Sequence, residues 1–394
     1  MPPSSKPEAL WTPAFVLICL ANFLTFFAFY LLLPVLPAYL LDEFHASRSV
    51  SGAVLGVYTL SALLIRPVSG YVVDTVSRKP LHAVGLLIFV GLFAGYPVAG
   101  TLLAFTLLRA FHGMAFGMVT TSGSTLAIDV MPASRRGEGI AFFGLTGSLA
   151  MAFGPMSGLF AMKNHSYHAA FVLSLIAGIL SWIMVLFIRA KPHQRTPHSA
   201  LSLDRFFLLK GAHGSVSLLL SAFLYGVLLF YVVLFAREVG LENEAGYFFV
   251  LMALGVGLSR FGSGKLIDKG HGVQLIVAGK VLLFLATAVF ALWPTHWVFN
   301  IGSILIGMGC GVIGPCYQSL FVDLAQHNQR GTANSTFYTA WDLGIGSGVL
   351  IGGATAQWLN YGAAILFGAL LVVMSLIYFL FFTASHYKAN KCPA

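Results

Sequence analysis

Apolar residues run in twelve long blocks separated by short polar breaks, and each block approaches or exceeds the roughly 20 residues a helix needs to cross a bilayer. The blocks fall near 14–40, 50–72, 80–98, 101–127, 139–161, 169–189, 213–236, 246–267, 273–293, 296–322, 333–357 and 361–383. This pattern predicts an all-α membrane protein with twelve transmembrane helices. Twelve is even, so both ends are expected on one side. The longest polar break, from Arg189 to Lys210, separates six blocks from six. It divides the chain into an N-terminal half (1–189), a linker (190–212) and a C-terminal half (213–394).

Composition narrows the class further. The chain is 58% hydrophobic and 9% charged, whereas a soluble domain carries about 25% charged residues. That deficit excludes a soluble enzyme, a nucleic-acid binder and a secreted scaffold. The net charge of +9 is topological. Fifteen of the 22 Lys and Arg residues, among them Arg78, Lys79, Arg135, Arg136, Arg189, Lys191 and Arg195, fall in breaks on the side of the termini. Three fall opposite: Arg48, Lys163 and Arg237. The excess of basic residues on one side puts both termini in the cytoplasm. Cys19, Cys310 and Cys316 lie in apolar blocks and Cys392 in the polar tail, which reads as small apolar side chains and no disulfide framework. No small-residue cleavage site follows the first apolar block, so no removed signal peptide is expected. The expected location is a bacterial cytoplasmic membrane, as an integral multi-pass protein.

The two halves repeat at an offset of 194 residues. Gly52 maps to Gly246, Arg66 to Arg260, Ser69 to Ser263, Asp74 to Asp268, Gly113 to Gly307, Gly117 to Gly311, Asp129 to Asp323, Arg136 to Arg330, Gly154 to Gly348 and Gly158 to Gly352. Close helix packing explains the glycines. It does not explain Arg and Asp pairs keeping the same register. Two parallel six-helix repeats point to a secondary transporter whose halves rock about a site at mid-membrane.

The loop after the second block, Gly70-Tyr-Val-Val-Asp74-Thr-Val-Ser77-Arg78-Lys79, resembles the G-x-x-x-D-x-x-G-R-K motif of the major facilitator superfamily, with Ser77 for the second glycine. Asp129 to Gly139, with Pro132, Arg135, Arg136 and Gly137, is similar to the P-x-x-R-R-G segment of that family, and Asp323 to Gly331 echoes it. Leu108-Arg109-Ala-Phe-His112-Gly113 resembles the R-x-x-Q-G motif of proton-coupled exporters, with His112 for Gln. Ala150 to Gly158, containing Gly154 and Pro155, is similar to the antiporter motif G-x-x-x-G-P-x-x-G. The resemblance covers essentially the whole chain and is closest to the drug:proton antiporter and sugar-efflux branch. It implies twelve helices in two pseudo-symmetric six-helix halves. It also implies gating roles for Asp74, Arg78, Asp129, Arg136, Asp268, Asp323, Arg330, Gly154 and Pro155. Asp74 would cap the eleventh helix and Arg78 would reach Asp129. The second-half latch should be weaker, because Gly272 stands where the repeat has Arg78.

A charge at the bilayer centre costs about 2.5–3.5 kcal/mol on insertion scales, so each one retained there calls for a role. Asp342 is the only acid expected at mid-membrane and is the leading candidate to load and release protons. Arg109 lies at a similar depth in the fourth block and cannot usefully deprotonate, so it must be paired, hydrated or bound to an anionic group. His112, three residues on, shares its face. These three are the proton-coupling candidates. Lys280 is read as able to snorkel to the membrane surface.

Asn22, Tyr30, Tyr58, Tyr225, Tyr317, Gln318, Asn334, Tyr338 and Trp341 are the uncharged candidates, and all but Asn334 form the predicted substrate-binding set. Resemblance to the family puts blocks one, four, seven and ten around the cavity. Aromatic rings with Met114 and Met118 nearby suit an amphipathic small molecule. There is no phosphate loop, no nucleophile elbow and no H-E-x-x-H metal pair, so no enzyme, cofactor or metal site is expected. The expected partners are a small-molecule substrate, protons and membrane lipid, with no nucleic acid, and the protein is expected to be a monomer. Proton-coupled efflux of a small amphipathic molecule by alternating access is the leading reading. The alternative is proton-coupled uptake of a sugar, organic acid or other nutrient. A sensor or channel is disfavoured by the short loops.

Overall fold

The computed structural model describes residues 9–46, 48–189 and 203–392 and is almost wholly helical. The start of the chain, with Lys6, and most of the predicted linker, with Lys191 and Arg195, lie outside the described residues. The helices are α1 (Pro13–Leu32), α2 (Val35–Glu43), α3 (Arg48–Thr75), α4 (Arg78–Phe93), α5 (Leu102–Val130), α6 (Arg136–Asn164) and α7 (Tyr167–Phe187). They continue as α8 (Ala212–Glu238), α9 (Glu242–Asp268), α10 (Gly272–Leu292), α11 (His296–Leu324), α12 (Arg330–Trp358), α13 (Tyr361–Tyr378) and α14 (Ala384–Asn390). Pro34 interrupts the first span between α1 and α2, so the described residues hold twelve spans.

Eleven of these spans are long and apolar enough to cross a membrane by composition. The exception is α12, whose 29 residues bury Thr332, Asn334, Ser335 and Thr336 against the rest of the protein. A helix face packed against protein need not be apolar. The outer faces are greasy, that of α12 included: Phe187, Leu350 and Phe381 are each at least 70% exposed. Such surface is unfavourable in water and neutral in lipid.

The repeat governs helix boundaries as well as residues. α4, α5, α6 and α7 begin at 78, 102, 136 and 167, and α10, α11, α12 and α13 begin 194 positions later, at 272, 296, 330 and 361. Caps follow the same register. The side chains of Thr101 and Thr295 accept from the backbone N–H groups of Ala104 and Val298, and those of Ser166 and Asn360 accept from Ala169 and Ala363. Each cap satisfies an amide that a helix start leaves without a partner.

Two compact units result, Met1–Ile65 with Val72–His198, and Ser199–Ala394 with the short segment Arg66–Tyr71. In the first, α1 packs on α6 and α7, and α4 on α5. In the second, α8 packs on α12 and α13, and α11 on α9 and α10. The repeated glycines mark the tightest crossings. A Cβ on Gly113 of α5 would stand 2.2 Å from the carbonyl oxygen of Tyr58, and one on Gly307 of α11 would stand 2.1 Å from that of Met252. Tyr58 and Met252 are themselves 194 residues apart, so one backbone contact is built twice.

The cysteines are all free, with Cys19, Cys310 and Cys316 buried. Lys280 departs from expectation. Its side chain does not snorkel to a surface but is 0% exposed inside the second unit.

Candidate functional site

The chemistry-bearing side chains gather in separate clusters. In the second unit, Arg66 Nε donates to Asp342 Oδ2 at 2.7 Å, and the Arg66 guanidinium lies over the Tyr338 ring, 4.7 Å from its centroid. Arg66 is 2% exposed and Asp342 19%. The Tyr225 and Trp341 rings lie 5.2 Å apart, and Phe337 stacks on Trp341 at 6.2 Å. Tyr338, Trp341 and Asp342 fall at i, i+3 and i+4 of α12 and so share one face. Thus Tyr225, Tyr338, Trp341 and Asp342 do come together, half-buried. Arg66 was not among the predicted site residues. Its signals were a charge within an apolar block and a repeat partner in Arg260.

Arg109 and His112 meet in the first unit, through a residue the sequence did not single out. Arg109 Nη1 donates to the Tyr96 hydroxyl at 3.2 Å, and that hydroxyl lies 2.7 Å from His112 Nδ1. The Tyr96 hydroxyl has one donor and two acceptor sites, so it can bond Arg109 and His112 at once. The Arg109 guanidinium also lies over the Tyr58 ring at 4.1 Å. Arg109 Nε and His112 Nε2 have no hydrogen-bond partner among the described residues. Tyr58 and Phe116 both stack against Phe29, at 5.3 and 4.7 Å, and Tyr30 packs on Phe29 at 5.1 Å. Asn22 instead donates to Thr146 Oγ1 at 2.8 Å, tying α1 to α6.

A third cluster surrounds Lys280. Its Nζ donates to Ser217 Oγ at 2.9 Å and to Ser375 Oγ, and it lies 5.3 Å from the Tyr317 ring centroid. The Tyr317 hydroxyl donates to Ser217 Oγ at 2.7 Å. Tyr317 is fully buried, with its hydroxyl taken up by this cluster. Gln318 donates to Asn334 Oδ1 at 2.8 Å, so these two predicted polar residues bind each other.

The residues given gating roles divide between the ends of the helices and their crossings. Arg78, itself 2% exposed, bonds Asp129 at 2.6 Å and Asp74 at 3.3 Å. Asp323, the repeat of Asp129, has a different partner. Lys391 reaches it at 3.0 Å and the Tyr387 hydroxyl donates to it at 2.6 Å, both from the C-terminal end of the chain. The chain supplies from its tail the cation that Gly272 cannot. Arg136 and Arg330 open α6 and α12, and Asp268 closes α9. Gly154 and Pro155 lie in α6, where a Cβ on Gly154 would stand 2.7 Å from that of Tyr30. At the start of α9, the His296 ring beside Glu244 holds that carboxyl below its usual range.

These two ion-pair groups are expected to differ sharply. Arg78→Ala leaves two carboxylates without their buried partner and should cost about 3–5 kcal/mol. Lys391→Ala removes a cation that is 46% exposed, a pair of a kind worth at most about 1 kcal/mol. Thermal unfolding of the purified variants checks the order. Equal losses would mean that burial does not set the strength of the latch.

Comparison with known proteins decides the family. The chain matches the Major Facilitator Superfamily over residues 18–291 and 274–393. It belongs to that superfamily. Among similar proteins are the staphylopine export protein of Staphylococcus aureus, 25% identical over 85% of this chain and 87% of its own length, and multidrug resistance protein MdtG of Escherichia fergusonii, 24% identical over 96% of both. Quinolone resistance protein NorA of Staphylococcus aureus is 24% identical over 84% of this chain and 87% of its own. Among solved structures, the human organic anion transporter MFSD10 has a TM-score of 0.81 at 18% identity, covering 93% of this chain and 98% of its own. The E. coli fucose:proton symporter FucP has 0.76 at 15% identity, covering 98% of this chain and all of its own. This major facilitator is thus an integral multi-pass membrane protein with the major facilitator fold.

Proposed function

We propose that the protein is a secondary transporter that exports a small amphipathic molecule by alternating access, driven by protons moving inward. The observation that carries this reading is the ion pair of Arg66 and Asp342, set beside the rings of Tyr338 and Trp341 within a membrane span. Asp342 is the one acid expected at mid-membrane, the others falling in loops, tails or span ends, which favours it as the proton carrier. Protonation neutralises it and frees Arg66; deprotonation restores the pair. A proton and a solute that act on the same face of α12 are linked through the conformations they stabilise. The Arg109, Tyr96 and His112 chain offers a second route for a proton in the other unit. Export, rather than uptake, is supported by the Gly154-Pro155 motif and by the export and resistance proteins among the similar sequences. Both termini are assigned to the cytoplasm, from the distribution of Lys and Arg.

The test is direction. Inside-out vesicles with an acid lumen should accumulate fluorescent amphipathic dyes, and collapsing the pH gradient should release them. Accumulation only in right-side-out vesicles would reverse the assignment to uptake. No accumulation in either would remove proton coupling.

A further inference from the structure

We propose that Arg260 anchors an anionic group, a carboxylate or a comparable oxyacid, on the amphipathic solute. This rests on the transporter reading above and narrows its substrate class.

Among the described residues, Arg66, Arg109, Arg260 and Lys280 lie away from the span ends, and Asp342 is the acid expected at a similar depth. Three have their charge answered inside the protein. Arg66 holds Asp342. Arg109 faces the Tyr58 ring and the Tyr96 hydroxyl. Lys280 is caged by serine hydroxyls. Arg260 is different. It is 9% exposed, and its one hydrogen bond runs from Nε to the backbone carbonyl of Gly311 at 3.3 Å. Its Nη1 is buried with no acceptor among the described residues. Tyr225, Cys310 and Tyr338 stand close enough to act on its charge.

Guanidinium has five N–H donors in a planar fork and cannot shed its charge, so a buried one needs acceptors. An orphaned donor in a low-dielectric site costs free energy that an incoming acceptor would recover. The repeat explains why no protein group fills the role. It carries the arginine twice, at 66 and 260, and the acid once, because the residue 194 positions before Asp342 is Ser148. Arg260 stands near the half-buried Tyr225 and Tyr338, and the Trp341 ring lies 5.2 Å from that of Tyr225. A charged fork beside aromatic faces suits a molecule with an oxyanion at one end and an apolar or planar body at the other.

Three probes of one shape separate charge from fit: 2-naphthaleneacetate, 2-naphthaleneethanol and 2-naphthylethylammonium, titrated calorimetrically against the full chain in detergent. The acetate should bind about tenfold or more tightly than the alcohol, as charge-assisted hydrogen bonding predicts. Arg260→Gln should abolish that preference, weakening the acetate about tenfold or more relative to the alcohol. Arg260→Lys, which keeps the charge and loses the fork, should retain part of it. Should Arg260→Gln fail to fold, the loss of preference is read from Arg260→Lys. Equal or tighter binding of the alcohol or the ammonium, binding of none of the three, or an unaltered preference in the variants overturns the proposal. The same probes in inside-out vesicles keep the two readings apart. Gradient-driven uptake of all three without charge preference would refute the anion anchor alone. No uphill movement of any probe would refute the transporter reading beneath it.

Discussion

Asp342→Asn is expected to abolish gradient-driven accumulation of solute while leaving solute exchange across the membrane measurable. The amide keeps the shape of the carboxylate but carries neither a removable proton nor a charge for Arg66, whose Nε lies 2.7 Å away. Uphill transport requires that protonation and solute binding bias the same conformational equilibrium. On the proposed mechanism the solute would still bind and cross in the variant, but nothing would drive it. A structural loss accompanies the functional one. Breaking a buried ion pair costs about 3–5 kcal/mol, and the lower end applies because Asp342 is 19% exposed. The double variant Arg66→Gln with Asp342→Asn separates the effects, since it removes both charges and should regain most of the stability without regaining accumulation. Accumulation and exchange in proteoliposomes, with thermal unfolding of the same preparations, check all three statements. Unchanged uphill transport by Asp342→Asn would take this residue out of the proton path.

The second large effect is purely steric. Gly307→Ala should lose folded protein, whereas Gly314→Ala on the same helix should be neutral or slightly stabilising. A Cβ at 307 would lie 2.1 Å from the Met252 carbonyl oxygen and 2.8 Å from its carbon, so α9 and α11 would have to separate. Overpacking of this kind costs about 1–3 kcal/mol or more. At 314 the same methyl meets nothing within 4 Å. There the helix gains the roughly 1 kcal/mol by which Ala exceeds Gly in propensity. Gly113→Ala in the first unit should reproduce the loss, since its Cβ would stand 2.2 Å from the Tyr58 oxygen. Yield of monodisperse protein and unfolding temperature check the pattern, and equal behaviour at 307 and 314 would contradict the close crossing.

The local properties of the chain fixed a good deal. Lipid solvates apolar side chains and cannot solvate backbone, so runs of hydrophobic residues become spanning helices whatever lies beside them. The apolar blocks therefore located all twelve spans, including α12, the exception by composition, whose buried residues include Thr332, Asn334, Ser335 and Thr336. The 194-residue offset carried helix starts, caps and the crossing glycines, because each depends on a residue and its near neighbours. The Arg78 link to Asp129 was legible too, through the motifs that hold both.

Partnerships between distant helices were not legible. Arg66 and Asp342 are 276 residues apart, and which of four intramembrane cations takes the one acid depends on helix rotation and depth. Hydropathy leaves rotation open, because lipid accepts any apolar face. For the same reason Lys280 read as a side chain bound for the surface, when Ser217 and Ser375 from α8 and α13 enclose it. The tail cation for Asp323 and the Tyr96 bridge between Arg109 and His112 have the same origin. Sequence determined that this chain is a duplicated twelve-helix bundle with a scarce set of charges inside it. Only the tertiary structure decided that Arg66 takes Asp342, and that Arg260 Nη1 is buried without an acceptor among the described residues.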